Sequence, residues 1–163
     1  MNHSNKTVCV VGASGLLGSN VLKEALARGY KVNGTLRDVN APGKATFLNA
    51  LPNAEANLRL FEAEMADKAS FDDAFSNVDC VFIACLIPVY KGPTGKPARE
   101  MDDEQGYAEI IMPTVNGCLN IMNAAVKQKV KNVVICSSTS STNPIPPVCL
   151  LYTSDAADER NSV

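Results

Sequence analysis

Three groups of residues in this 163-residue chain have types and spacings suited to chemistry. The first is Gly12-Ala13-Ser14-Gly15-Leu16-Leu17-Gly18, with glycines at G-x-x-G-x-x-G spacing rather than the G-x-G-x-x-G dinucleotide fingerprint. Missing side chains let a backbone turn tightly and approach a pyrophosphate, which sits on the amides at a helix N-terminus. The plain alternative is a tight turn with close helix packing, and the pattern gains force only between a buried strand and a helix. The second group is Leu36-Arg37-Asp38. A carboxylate at the end of a second strand would bond a ribose 2′-hydroxyl and repel a phosphate there. Leu36 stands at that position instead, followed by a guanidinium suited to bidentate phosphate contact. This favours NADP over NAD. Asp38 as a partner for the ribose of NAD, and Arg37 as a solvated surface charge, are the competing readings. The third group is the hydroxyl run Ser137-Ser138-Thr139-Ser140-Ser141-Thr142. Serines after a strand commonly cap turns. At the carboxyl edge of an open α/β sheet they also stand where ligands bind.

These residues need particular elements to position them. Thr7-Val8-Cys9-Val10-Val11 is a short apolar run, the pattern of a strand buried on both faces. Leu17, Val21, Leu22 and Ala25 predict an amphipathic helix over 16–28, which Gly29 stops by tolerating left-handed backbone. A second strand is expected over 32–36, a short helix over 44–51 after the Pro42-Gly43 loop, and a third strand over 58–62. Ser70 and Asp73 approximate a capping box and predict a short helix from Ser70. Residues 79–85 read as a fourth strand, 88–97 as a loop rich in proline and glycine, and 102–129 as a long helix. Ile111, Val115, Leu119, Met122 and Val126 form one stripe on that helix, expected mostly to pack on the sheet. Pro113 should kink it or mark a start within it. Residues 132–136 read as a fifth strand. The alternation of strand and helix predicts an α/β fold with a parallel sheet and right-handed crossovers.

Composition narrows the class. Apolar residues make up 46% of the chain, an ordinary globular share. The net charge of −2 gives no reason to expect nucleic acid or an anionic membrane as partner. Residues 1–6 carry no apolar signal-peptide core, and no apolar run is long enough to span a bilayer. The six cysteines lie singly, Cys9, Cys80, Cys85 and Cys136 within apolar runs, so they read as core residues in a reducing, cytoplasmic compartment. No metal site is expected. The lone His3 sits near the terminus and suggests no ligand role.

Taken in order, several stretches carry a family resemblance. They are Val11-Gly12-Ala13-Ser14-Gly15-Leu16-Leu17-Gly18, Leu36-Arg37-Asp38, Ser70-Phe71-Asp72-Asp73-Ala74, Asp79-Cys80-Val81-Phe82, Pro113-Thr114-Val115-Asn116-Gly117-Cys118-Leu119-Asn120-Ile121 and Val133-Val134-Ile135-Cys136-Ser137-Ser138. Residues 7–141 resemble the N-terminal half of an extended short-chain dehydrogenase/reductase, in particular the dihydroflavonol reductase and cinnamoyl-CoA reductase group. The resemblance implies a truncated Rossmann-type doubly wound parallel sheet of strand order 3-2-1-4-5. It implies that Gly12, Ser14, Gly15 and Leu17, with Leu16 and Gly18 in the same turn, hold the pyrophosphate of NADP(H). Arg37, helped by Lys44, would take the 2′-phosphate. Glu64 and Met65 would stand beside the adenine, and Ala84 and Cys85 beside the ribose and nicotinamide. Ser138 would be the catalytic serine, hydrogen-bonded to the carbonyl of a small-molecule substrate, a ketone or thioester. In such proteins the long helix often packs against a partner subunit, so a homodimer is also implied.

Two departures qualify this reading. The family uses a Tyr-x-x-x-Lys pair, in which the tyrosine passes the proton and the lysine lowers its pKa. Here no lysine follows Lys131, the only later tyrosine is Tyr152, and Ala156 stands in the lysine's place. The expectation is a cofactor-binding fragment, inactive by itself, of an NADPH-dependent reductase. A non-catalytic NADP-binding sensor and an epimerase or dehydratase are the alternatives. Residues 149–159, moreover, resemble a translated transposase adapter and no part of the family. That resemblance implies an incomplete nucleotide-binding domain over 1–148 and a non-native tail over 149–163. Deleting 149–163 should therefore leave the yield of folded protein and any nucleotide binding unchanged or improved. Expression with size-exclusion chromatography checks this, and a clear loss of folded protein would contradict it.

Overall fold

A computed structural model of the chain describes residues 5–85 and 92–137. His3, residues 88–91 of the expected loop, Ser138 with the hydroxyls after it, Tyr152 and the tail 149–163 lie outside the described residues. The sheet has β1 (Thr7–Val11) at its centre. On one side lie β2 (Lys31–Leu36) and then β3 (Leu58–Glu62); on the other lie β4 (Cys80–Ile83) and then β5 (Asn132–Ile135). All pairs are parallel, in the expected order 3-2-1-4-5. Val11 is in register with Thr35 of β2 and Ile83 of β4, so the chain leaves three neighbouring strands at one rim.

Period-two alternation along β1 divides the core between the two faces. Val8 and Val10 join the Leu22, Leu26, Val32 and Leu48 cluster, whereas Cys9 and Val11 join Phe71, Phe75, Val81 and Ile121. Helix α1 (Leu16–Ala27) supplies the first face, with α2 (Lys44–Asn49) and α3 (Ala54–Asn57) contributing Leu48 and Ala54. On α1, Leu22 and Ala25 are buried as expected and Val21 packs beside them; Gly18 and Leu26 complete the inner face, and Leu17 is exposed. α3 has no signal in the apolar pattern. It follows Asn53, whose backbone is left-handed at φ 66° and whose amide nitrogen donates to Leu26 O beyond the middle of α1.

The expected helix from Ser70 is replaced by a run of turns over 70–77. The Ser70 hydroxyl is used elsewhere: it accepts from Glu64 N at 3.1 Å and donates to Glu64 O at 2.8 Å, closing the loop after β3. Phe71 and Phe75 still reach the core, because one helical turn between them suffices, with Phe75 N bonding Phe71 O at 3.0 Å. β4 is shorter than expected, because only Cys80–Ile83 find partners in both neighbouring strands.

The long helix is also interrupted. α4 (Asp103–Gly106) leads into a wide π-turn at Tyr107–Ile111, and α5 (Met112–Lys127) follows. Pro113, the second residue of α5, offers no N–H, and its ring crowds the carbonyl four residues back. A π-turn just before it relieves that clash. Of the expected stripe only Met122 packs on the core; the other four positions are on the wrong face. Ile111, Val115, Leu119 and Val126 are exposed, while Gly117, Ile121, Ala124 and Ala125 face the sheet. Small residues let the helix axis lie close to the strands; the larger stripe could not. Among the described residues no helix is long and apolar enough to cross a membrane.

Among the described residues β5 lies at the sheet edge, with Val134 49% and Ile135 54% exposed. It carries none of the charges, prolines or bulges that keep natural edges from pairing. The 163-residue chain should therefore self-associate with rising concentration, and Ile135→Lys should shift it toward monomer. Size-exclusion chromatography with light scattering checks this. A monomer at all concentrations would contradict it.

Candidate functional site

The rim reached by β1, β2 and β4 is where the glycine-rich turn forms. Gly12 follows β1 with φ +79°, a conformation costly for any other residue. A Cβ on it would also stand 2.7 Å from Cys85 Cβ. The turn is tied to β2 at two points: Gly12 N donates to Thr35 Oγ1 at 3.3 Å, and Ala13 N donates to Thr35 O at 2.9 Å. Gly15 N closes the turn onto Gly12 O at 3.0 Å. α1 then begins, seated so closely that a Cβ on Gly18 would lie 2.1 Å from Gly12 O. The amides of Leu16 and Leu17, in the first turn of α1, have no acceptor among the described residues. Such orphan donors, with the positive end of the helix dipole, suit an anion.

A cavity of about 620 Å³ lies over this rim. Gly12, Ser14, Gly15, Arg37, Glu64, Met65, Ala84 and Cys85 all line it. A second cavity of about 290 Å³ adjoins it, sharing Ser14, Leu36 and Arg37 and adding Asp38, Ala41 and Lys44. Lys44 and Arg37 are thus brought together although α2 starts well after β2. Three of the expected residues stand differently. Leu16 and Leu17 line neither cavity, and their side chains are 88% and 43% exposed. Gly18 lines neither cavity and serves the packing of α1.

The sequence reading missed Thr35, Asn116, Gly117 and Asn120 in the cavity wall. Asn120 is 8% exposed and donates from Nδ2 to Met65 O at 2.8 Å, fixing the loop after β3 from α5. The available signal was a polar residue in register with the small residues that face the sheet. Cys85 places its thiol 3.6 Å from Met65 Sδ. Burial is the main cause that raises the Cys85 pKa, so the thiol is neutral at neutral pH and offers a weak donor rather than a nucleophile.

The residues fit a dinucleotide. Gly15 has φ −77°, and a Cβ on it would meet only Gly12 O, at 3.4 Å. The fold itself does not require glycine there; what its absent side chain leaves is room in the cavity at the start of α1. The family described as NAD(P)H-binding matches residues 12–158. The chain is similar to dihydroflavonol 4-reductase of Arabidopsis thaliana, 40% identical over 144 residues, covering 88% of this chain and 35% of that protein. Among solved structures, vestitone reductase from alfalfa (Medicago sativa) is 32% identical at TM-score 0.62, over 84% of this chain and 37% of that one. Gre2 from Candida albicans, in complex with NADPH, is 26% identical at TM-score 0.64, over 85% and 38%. The chain spans about a third of the length (35%) of the first curated relatives it matches.

The two inner glycines should separate packing from ligand space. Gly18→Ala should lower unfolding free energy by roughly 1–3 kcal/mol, since backbone must move. Gly15→Ala should change it by less than about 0.5 kcal/mol. Denaturant unfolding of both variants checks this, and equal losses would refute the distinction.

Proposed function

The chain belongs to the NAD(P)H-binding family, and from that premise we propose that it is the cofactor-binding part of an NADPH-dependent reductase of a carbonyl substrate, a ketone or thioester. The observation that carries the preference for NADPH is the second cavity. It brings a guanidinium and an ammonium, Arg37 and Lys44, to the end of β2, where Leu36 stands in place of a carboxylate. A 2′-phosphate matches that pair; a bare ribose hydroxyl does not need it. The names of the similar proteins, reductases in each of the plant cases, support the same class.

In this reading the Leu16 and Leu17 amides and the start of α1 bind the pyrophosphate. Arg37 and Lys44 hold the 2′-phosphate, and Glu64 and Met65 flank the adenine, with Asn120 keeping Met65 in place. Ala84 and Cys85 form the wall at the nicotinamide end. When bound, the cofactor supplies a hydride. Ser138, next in sequence after Ser137, would donate a hydrogen bond to the substrate carbonyl and orient it. No Tyr-x-x-x-Lys pair occurs in this sequence. The chain alone therefore binds cofactor but holds no such pair to pass the proton. The binding domain is read as residues 1–148, although the family match continues to residue 158, into the stretch read as a non-native tail. The free cysteines among the described residues support a reducing, cytoplasmic compartment. The exposed Ile111, just before α5, and Val115 and Leu119 on it support a homodimer.

Arg37→Ala should raise the NADPH dissociation constant by roughly ten- to a hundredfold while moving that of NADH by less than about twofold. Lys44→Ala should act in the same direction but less. Fluorescence titration with both nucleotides checks this, and an equal loss for NADPH and NADH would count against the phosphate role.

A further inference from the structure

Thr35 lies near the end of β2, between Gly34 and Leu36, 2% exposed, where a β-branched side chain is ordinary. Valine would fill the same space. What threonine adds is an oxygen, and that oxygen is engaged: it accepts from Gly12 N at 3.3 Å. The carbonyl of the same residue accepts from the next amide, Ala13 N, at 2.9 Å. One residue of β2 thus takes two successive amides of the glycine-rich turn. Gly15 N is also bonded inside the turn, to Gly12 O, so three amides of the turn are satisfied within the protein. Those of Leu16 and Leu17 are left for a ligand. Thr35 lines the larger cavity, and its own hydroxyl proton has no acceptor among the described residues.

We infer that Thr35 is a positioning residue that sets the glycine-rich turn for nucleotide binding. The inference rests on the NAD(P)H-binding reading but is independent of the preference for NADPH. Arg37, two residues on, distinguishes a phosphate from a hydroxyl, whereas Thr35 acts on the turn shared by both nucleotides. Losing its oxygen strands the Gly12 amide and lets the turn shift, and a turn out of place presents its outward amides poorly to either cofactor.

The test is titration of the 163-residue chain, its Thr35→Val variant and its Thr35→Ser variant with NADPH and with NADH. The valine variant should weaken both by roughly three- to tenfold, leaving their ratio unchanged, while the serine variant stays within about twofold of the parent. A valine variant that binds both nucleotides as the parent does would overturn the inference, as would a loss confined to NADPH. A parent chain that binds neither nucleotide would overturn the nucleotide reading itself, and the inference with it. Amide exchange of the nucleotide-free parent gives a further measure, which stands even where the valine variant does not fold. The Gly12 amide should exchange slowly, and fast exchange there would overturn the inference.

Discussion

The seating of α1 against the end of β1 is the contact on which the site depends. Gly18 meets the carbonyl of Gly12 with no room for a Cβ between them, and Gly12 itself holds a conformation that only glycine adopts freely. Because the contact is backbone against backbone, it cannot relax as a side-chain contact could. It fixes where the first turn of α1 begins, and so where its free amides stand relative to the ends of β1, β2 and β4. Gly34 in β2 continues the same constraint. A Cβ there would lie 3.0 Å from Leu60 Cδ2 and 3.1 Å from both Ala13 Cβ and Leu22 Cδ1.

On the opposite face, α5 is drawn in by small residues rather than large ones. Gly117, Ala124 and Ala125, with Ile121 between them, let it lie near Phe71, Phe75 and Val81. This proximity is what allows Asn120 to reach Met65 O across the cavity. Two helices on two faces therefore clamp one rim from both sides: α1 through the glycine-rich turn, α5 through Asn120 and the loop after β3. Local polar ties finish the job. The Ser70 hydroxyl closes that loop, and Asn33, 7% exposed within β2, donates to Ala74 O at 2.8 Å to hold the turns beyond it.

Much of this was legible in the order of residues along the chain. Buried strands, glycine spacing and Leu36-Arg37 are local signals: each follows from what a few consecutive residues allow, and their succession predicted a parallel sheet, whose order 3-2-1-4-5 came from the family resemblance. The place of Lys44 was legible only through resemblance, since nothing near it in sequence points to Arg37. Tertiary structure alone decided which face of α5 is inward. Both faces of that helix repeat at helical spacing, and the choice depends on how closely the sheet lets it approach. It also decided that Ser70 would close a loop rather than cap a helix, because its hydroxyl had a better partner in the Glu64 backbone than in its own. Finally, it decided the roles of Thr35 and Asn120, whose partners are 23 and 55 residues away. A hydrogen bond between distant segments leaves no periodic trace in sequence, and only the folded chain brings its donor and acceptor together.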